Sequence, residues 1–364
     1  MIKPESIEEL RDTLDVLSTI ERFSDVKLKK RGSVYVGCCP FHEEKSPSFT
    51  VSTSKQIYKC FGCGEGGDPI KFVMKKQRMD FIPAIRALAE WKNFQLDELE
   101  ETPEEKDLTA KKQDLISINK AAAKKYREKL ESLLILDPVK QEIFNTRQLL
   151  QDTVSAFELG FAPNQWDFLA PKIVDQGQYS AGIELGLIAT SNNRNYDVYR
   201  NRIMFPIHDP KGHVVGFGGR KVEDDNRDNP KYINAKESPV YHKDKILYGI
   251  FQAQKAIRDM GYAVLVEGYY DVISCHQSGL SNTVGSCGTA LTSGQAQLLK
   301  RYTNHVIMFY DGDDAGKKAA LKSVNILLKE GFKVDICLLP ADQDPDSFAR
   351  LHPLVLSEFQ EENN

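Results

Sequence analysis

The 364-residue sequence has no long apolar run. Its most hydrophobic stretches, such as Ala263–Val266, are a few residues long, far short of the ~20 that cross a bilayer. A secretory leader is not expected either. The start, MIKPESIEELRDTLDVL, is charged and amphipathic, with neither an apolar segment nor a small-residue cleavage site. No membrane association is expected, and the expected location is the cytoplasm. Positive charge is not in excess: 48 Lys and Arg stand against 52 Asp and Glu, a net charge of -4. Any surface for nucleic acid must therefore be local, because an average conceals patches. Cysteine is scarce and odd in number, seven in all, with four at positions 38, 39, 60 and 63. Tight clustering in a reducing compartment indicates a metal site rather than disulfides. Cys275, Cys287 and Cys337 sit in apolar strand or helix patterns and read as buried thiols. Internal repeats and low-complexity tracts are absent.

What is present is ordinary globular material, 41% hydrophobic and 27% charged, in a chain long enough for two or three domains at roughly 100–200 residues each. Residues 1–98 hold a short helix over 7–23, a Cys/His-rich core and a closing helix through 70–91. Residues 99–114, acidic and polar, read as a linker or a solvated helix start. Residues 115–260 begin with a charged helical stretch and then turn β-rich. RIMFPIHDPKGHVVGF alternates around the turn signal Asp209-Pro210-Lys211-Gly212, as a hairpin would. From 261 to 350, four short apolar strands (AVLVEG, NTVGSCG, HVIMFYDGDDAG, KVDICLLP) alternate with helical segments. That rhythm means βαβ units and a mainly parallel sheet, with functional groups at the carboxyl ends of the strands. Residues 351–364 form a tail or the start of a further helical region. The expected fold is multidomain α+β and α/β: an N-terminal zinc ribbon, a mixed α+β subdomain, and an α/β subdomain.

Two constellations carry chemistry. Cys39-Pro-Phe-His42 and Cys60-Phe-Gly-Cys63 are knuckle-like pairs with two residues between ligands, the set that tetrahedral zinc takes. Cys38 is an alternative to Cys39, less favoured because its spacing to His42 does not match the second pair. With four protein ligands the zinc would be structural. Phe49, Tyr58 and Phe61 could offer stacking faces to a single strand, and Lys45, Lys55 and Lys59 could neutralise phosphates. Phe49 and Phe61 could equally be the ribbon's own core, whereas Tyr58 and the lysines read as surface residues. The second constellation is acidic. Glu267 ends the first strand of the last region, with Asp271 four residues on. Asp311 and Asp313 end the third strand, and Asp344 and Asp346 follow the fourth. Six carboxylates at one edge would repel one another unless divalent cations were held between them, and hard oxygen ligands suit Mg2+ or Mn2+. Arg220 follows Gly-Phe-Gly-Gly, read as a turn that could bring backbone N–H groups near a triphosphate.

With CPFHEEKSPSF, CFGCGEGGD, YRNRIMFPI, GFGGR, PKYIN, LYG, VEGYYD and FYDGDDAG in this order, the chain resembles the bacterial DnaG-type DNA primases from its first residues to about 350. The last region resembles a TOPRIM domain. The resemblance implies template-directed synthesis of short RNA primers on single-stranded DNA, by nucleotidyl transfer from NTPs. It implies Cys39, His42, Cys60 and Cys63 as zinc ligands and Glu267, Asp311 and Asp313 as the core catalytic acids. Asp271, Asp344 and Asp346 complete the Mg2+ or Mn2+ centre. Arg147, Arg200, Arg202, Arg220, Lys231, Asn234 and Lys243 match a basic ridge for template and nucleotides, with Tyr232 packed among them.

The partners implied are a single-stranded DNA template, NTPs, an RNA–DNA primer duplex and the replicative helicase, at the replication fork, with the enzyme a monomer. The chain stops at Asn364, so the helical domain with which the family docks on helicase is expected to be missing. Gln148 stands after Arg147 where the family commonly has Gly, which puts a tight turn there in question. Two rivals remain: another TOPRIM enzyme such as a nuclease, and a non-catalytic single-strand binder.

Overall fold

The structure, a computed structural model, describes residues 2–77, 79, 81–99, 102–222, 230–286, 288, 290–310, 314–339 and 343–352, without the side chains of 314–319 and 338. The chain divides into two compact units, Met1–Lys106 and Asp107–Asn364.

In the first unit, five short strands form an antiparallel meander: β1 (Lys29–Arg31), β2 (Val34–Gly37), β3 (Phe49–Ser52), β4 (Ile57–Cys60) and β5 (Gly66–Gly67). Four helices pack with them, Pro4–Thr13, Val16–Phe23, Pro69–Lys76 and Phe81–Lys92. The single helix expected over 7–23 is two, because Asp15 caps a new start: its carboxylate accepts from the Ser18 N–H at 2.9 Å. Likewise the closing helix is interrupted between Lys76 and Phe81. Asp68 caps the Pro69 helix, accepting from Lys71 N–H at 2.8 Å, with Pro69 placed where a missing N–H does no harm. Leu10, Val16, Ile20, Phe49, Val51, Tyr58, Phe72, Ile85 and Leu88 are buried together beneath the meander.

The helix Pro103–Glu131 carries the chain from the first unit into the second. Residues 103–114, the linker candidate, are thus helical, and they are exposed throughout, the solvated helix start of the two readings. Then come β6 (Gly160–Ala162), the hairpin β7 (Ile188–Ser191) and β8 (Arg194–Asp197), β9 (Arg202–His208), β10 (Val214–Lys221) and β11 (Tyr232–Asn234). An antiparallel sheet runs in the order β11-β10-β9-β6. The β9–β10 hairpin turns where the sequence indicated: the Asp209 carboxylate accepts from the N–H groups of Lys211 (2.8 Å) and His213 (2.9 Å).

The remaining strands are β12 (Ala263–Val266), β13 (Thr283–Gly285), β14 (His305–Tyr310) and β15 (Lys333–Leu338), all parallel, in the order β13-β12-β14-β15. The four strands expected from alternation are these four. Sequence position 260 separates two sheets but not two cores. Phe205 of β9 stacks on Tyr269 at 4.9 Å between centroids, and both belong to one apolar cluster with Tyr248, Val264 and Val266. Gly218 of β10 lets this happen: a Cβ there would lie 2.4 Å from the Tyr269 ring. The Gly-Phe-Gly-Gly segment is therefore strand, not the phosphate-cradling turn expected before Arg220. Its glycines admit neighbouring rings instead of a ligand.

Candidate functional site

The β1–β5 meander brings Cys39, His42, Cys60 and Cys63 together, with one ligand atom from each within 4.8 Å of all the others. Cys39 Sγ lies 3.9 Å from Cys63 Sγ, and Cys60 Sγ lies 3.8 Å from His42 Nδ1. Tetrahedral zinc with bonds near 2.3 Å separates its ligand atoms by about 3.8 Å, so the cluster fits that ion closely. Cys39 is buried and belongs to the cluster, whereas Cys38 is exposed and outside it.

Backbone N–H groups are aimed at two of the sulfurs. Phe41 N–H points at Cys39 Sγ (3.4 Å), and the N–H groups of Gly62 (3.3 Å) and Cys63 (3.4 Å) point at Cys60 Sγ. Burial pushes the Cys39 thiol up. At Cys60 burial acts the same way, but the Ser48 hydroxyl and those two N–H groups outweigh it and bring the thiol down to about 6. Glu44, which the sequence reading did not single out, organises the loop. Its carboxylate accepts from Cys39 N–H (2.7 Å), Ser48 N–H (3.1 Å) and Ser48 Oγ (2.5 Å), and lies 3.3 Å from His42 Nε2. With Nδ1 turned towards Cys60, Nε2 is the ring nitrogen that faces this carboxylate, where an outer contact would orient the ring of a metal-bound imidazole. Gly62 packs against the imidazole, since a Cβ there would sit 2.8 Å from His42 Nε2.

Of the proposed stacking residues, Phe49 and Tyr58 are core. Both are buried, in a knot of rings with Phe41 and Phe72. Tyr58 as a surface residue is thus corrected: its ring lies 5.4 Å from that of Phe49. Phe61 is 76% exposed, and Lys45, Lys55 and Lys59 are on the surface.

In the parallel sheet, Glu267 follows β12 directly. Leu265 pairs with Met308, which sets Glu267 level with Tyr310, the residue before Asp311. Asp311 and Asp313 themselves lie outside the described residues, as does Cys287. Asp271 stands in the first turn of the helix Tyr269–Gln277, where it accepts from Gly268 N–H at 2.7 Å. Asp344 caps the helix Pro345–Leu351 through Ser347 N–H at 2.7 Å. Burial would raise its carboxyl, but the Ser347 bonds and the nearby Arg147 and Arg350 hold it below the usual range.

Asp346, an expected cation ligand, is held by basic side chains. It is buried and both its oxygens are engaged: Oδ2 pairs with Arg147 Nη1, while Oδ1 takes Ser274 Oγ–H (2.6 Å) and Arg350 Nε (3.2 Å). A carboxylate compensated by two guanidiniums has little negative field left for a cation.

The basic residues fall into three groups. Arg202 has no exposed surface and donates to the carbonyls of Gly219 (3.1 Å), Lys231 (3.2 Å) and Pro230 (2.8 Å). Its expected contact with template or nucleotide is corrected, because a buried guanidinium tying β9 to β10 cannot reach a ligand. Arg147 and Arg220 are partly exposed and lie over the Tyr270 ring at 4.5 and 5.0 Å. Arg200 stacks on Trp166 at 3.8 Å, Lys231 is exposed and Lys243 half-buried. Asn234 accepts from Tyr269 O–H at 2.8 Å, and Tyr232 stacks on Tyr269 at 6.0 Å. Gln148 makes the turn that its lack of glycine put in question, with φ at 53°.

Three family models match: a CHC2 zinc finger over residues 2–104, the N-terminal domain of the DNA primase catalytic core over 136–254, and a Toprim-like domain over 264–349. The crystal structure of the Aquifex aeolicus primase zinc-binding and RNA polymerase domains is 35% identical, with a TM-score of 0.62, across 99% of this chain and 85% of that one. The chain belongs to the bacterial DnaG-type DNA primase family. Another family member, the DNA primase of Clostridium acetobutylicum, is 41% identical over 348 residues, covering 95% of this chain and 56% of that protein. A DnaG primase catalytic domain solved with single-stranded DNA is 33% identical, TM-score 0.63, over 70% of this chain and 82% of that one. The chain spans about half the length of the curated relatives it matches. Like its family, it combines an N-terminal CHC2 ribbon with a TOPRIM parallel sheet. No helix among the described residues is long and apolar enough to cross a membrane.

Proposed function

We propose that this chain synthesises short RNA primers on a single-stranded DNA template by nucleotidyl transfer from NTPs. The observation that carries the reading is the β13-β12-β14-β15 sheet. Its register sets Glu267 level with Tyr310, the last residue of β14. Glu267, Asp311 and Asp313, with Asp271 and Asp344 near the same strand ends, form a hard oxygen donor set for Mg2+ or Mn2+. When bound, such cations supply charge stabilisation for a 3′-hydroxyl attacking an α-phosphate and for departing pyrophosphate. Asp346 serves the arginines instead.

The rest of the work belongs to positioning. Arg147 and Arg220 present guanidinium edges to phosphate, and their planar forks suit two oxygens at once. Lys231, Lys243 and Arg200 hold the backbone of the template. Asn234, fixed by Tyr269, is placed for a base or sugar. Arg202 shapes the sheet from which these residues project. In the first unit, Cys39, His42, Cys60 and Cys63 would hold a structural Zn2+, while Phe61, Lys45, Lys55 and Lys59 on the surface of that unit offer one ring and three charges to a single strand.

The test is incubation of the purified chain with single-stranded DNA, labelled ribonucleotides and Mg2+ or Mn2+, beside an Asp311→Ala, Asp313→Ala double variant. The expected result is template-dependent short RNA that disappears in the variant. Degradation of the template without RNA synthesis would instead make the chain a TOPRIM nuclease.

A further inference from the structure

The segment Gln141–Thr146 is a π-helical turn, closed by Arg147 N–H on Glu142 C=O at 2.9 Å. In an α-helix, residues five apart point about 140° away from each other. The wider turn brings Glu142 and Arg147 to one side, and such turns recur at functional sites. Arg147 Nε donates to Glu142 Oε1 at 3.1 Å, and Arg220 Nη2 approaches the same oxygen at 3.4 Å from β10. Both guanidiniums lie over the Tyr270 ring, at 4.5 and 5.0 Å. Two like charges so close repel, and the Glu142 carboxylate between them offsets that repulsion. Glu142 is 20% exposed and the two arginines 18% and 15%, so the group is half-sheltered and open on one side. The sequence reading passed over Glu142 because a lone glutamate in a charged helical stretch usually faces solvent.

We propose that Glu142 is a positioning residue: with the Tyr270 ring beneath, it holds Arg147 and Arg220 side by side as one guanidinium clamp for a phosphate of template or nucleotide. The inference rests on the primer-synthesis reading above, and it adds the acid that sets the clamp's geometry. Asp346 steadies the far side of Arg147 and does not touch Arg220 in any contact among the described residues. Glu142 is therefore the carboxylate shared by both arginines. An acid this close to an anion weakens raw electrostatic attraction, so its benefit must lie in orientation.

Glu142→Gln keeps size and one acceptor oxygen while removing the charge. Expected are a roughly tenfold fall in kcat for primer synthesis, affinity for a labelled oligo-dT strand unchanged or tighter, and a Tm within about 2 °C of the parent. Glu142→Asp, which keeps charge on a shorter arm, should recover part of kcat. Arg147→Ala and Arg220→Ala run alongside. If both arginine variants lose synthesis while Glu142→Gln keeps the parental kcat, the positioning role is overturned and the primer reading stands. If both arginine variants keep the parental kcat, the clamp is overturned and the primer reading stands; if the parent itself makes no template-dependent RNA, the primer reading fails. If Glu142→Gln loses Tm, kcat and strand affinity together, Glu142 is a stability residue and the proposal is wrong.

Discussion

At Arg202, the carbonyls of Gly219, Pro230 and Lys231 all accept from one guanidinium with no exposed surface. Lysine carries the same charge but lacks the fork, so it leaves at least one of these acceptors unpaired. Arg202→Lys should lose about 2–4 kcal/mol of stability in urea unfolding followed by circular dichroism. A variant with parental stability and weakened single-strand binding would mean that Arg202 reaches the template after all. His276 makes a second prediction. Burial against Phe157 brings its pKa down to about 4, although its Nε2 bonds to Thr283 C=O at 2.8 Å. The unfolded chain binds a proton at this ring near pH 6.5 and the folded chain does not. The stabilisation from a neutral ring is therefore full above pH 6.5 and is lost as pH falls from 6.5 towards 4, by up to roughly 3 kcal/mol. His276→Gln should flatten that part of the stability–pH profile, and an unchanged acid slope would contradict the assignment. At this scale, side-chain direction was the least legible property. YRNRIMFPI shows that Arg200 and Arg202 lie near each other. Nothing in it shows that one stacks on Trp166 at the surface while the other is sealed beneath β10.

Among elements, the first-unit meander depends most plainly on what it encloses. Its strands are two to four residues long, and four cysteine and histidine side chains converge on one another there in place of aliphatic groups. A module so short of apolar mass needs its ion. Cys39→Ser should reduce bound zinc from about one per chain to near zero and loosen this unit, whereas Cys38→Ser should keep the metal. Elemental analysis after dialysis measures both, and equal zinc in the two variants would refute the ligand set drawn from geometry. The pairs with two intervening residues made this site readable, since ligand spacing is a local property. The acidic segment 99–114 was half readable: composition offered a linker or a solvated helix start without deciding between them, and the helix Pro103–Glu131 begins inside it. GFGGR was misread for a related reason. Glycines in a row resemble a phosphate loop, yet here Gly218 makes room for Tyr269 at a contact distant in sequence.

Across the whole molecule, the parallel sheet was legible because four apolar strands alternate with helices, and strand ends in such a sheet are where acids collect. What the pattern could not reveal is which acids face the crevice and which face arginines. Asp344 and Asp346 are two residues apart, but the first caps a helix at the surface and the second is buried between Arg147 and Arg350. The central claim is that the Glu267 edge of this sheet, and not Asp346, supports nucleotidyl transfer. The most direct measurement is template-dependent RNA synthesis by Glu267→Gln and Asp346→Asn across a titration of Mn2+. Loss of synthesis in Glu267→Gln by about a hundredfold or more at every Mn2+ concentration, with Asp346→Asn reduced but retaining the parental Mn2+ dependence, is the predicted result. Parental synthesis by Glu267→Gln, or a Mn2+ requirement shifted by Asp346→Asn alone, would contradict it.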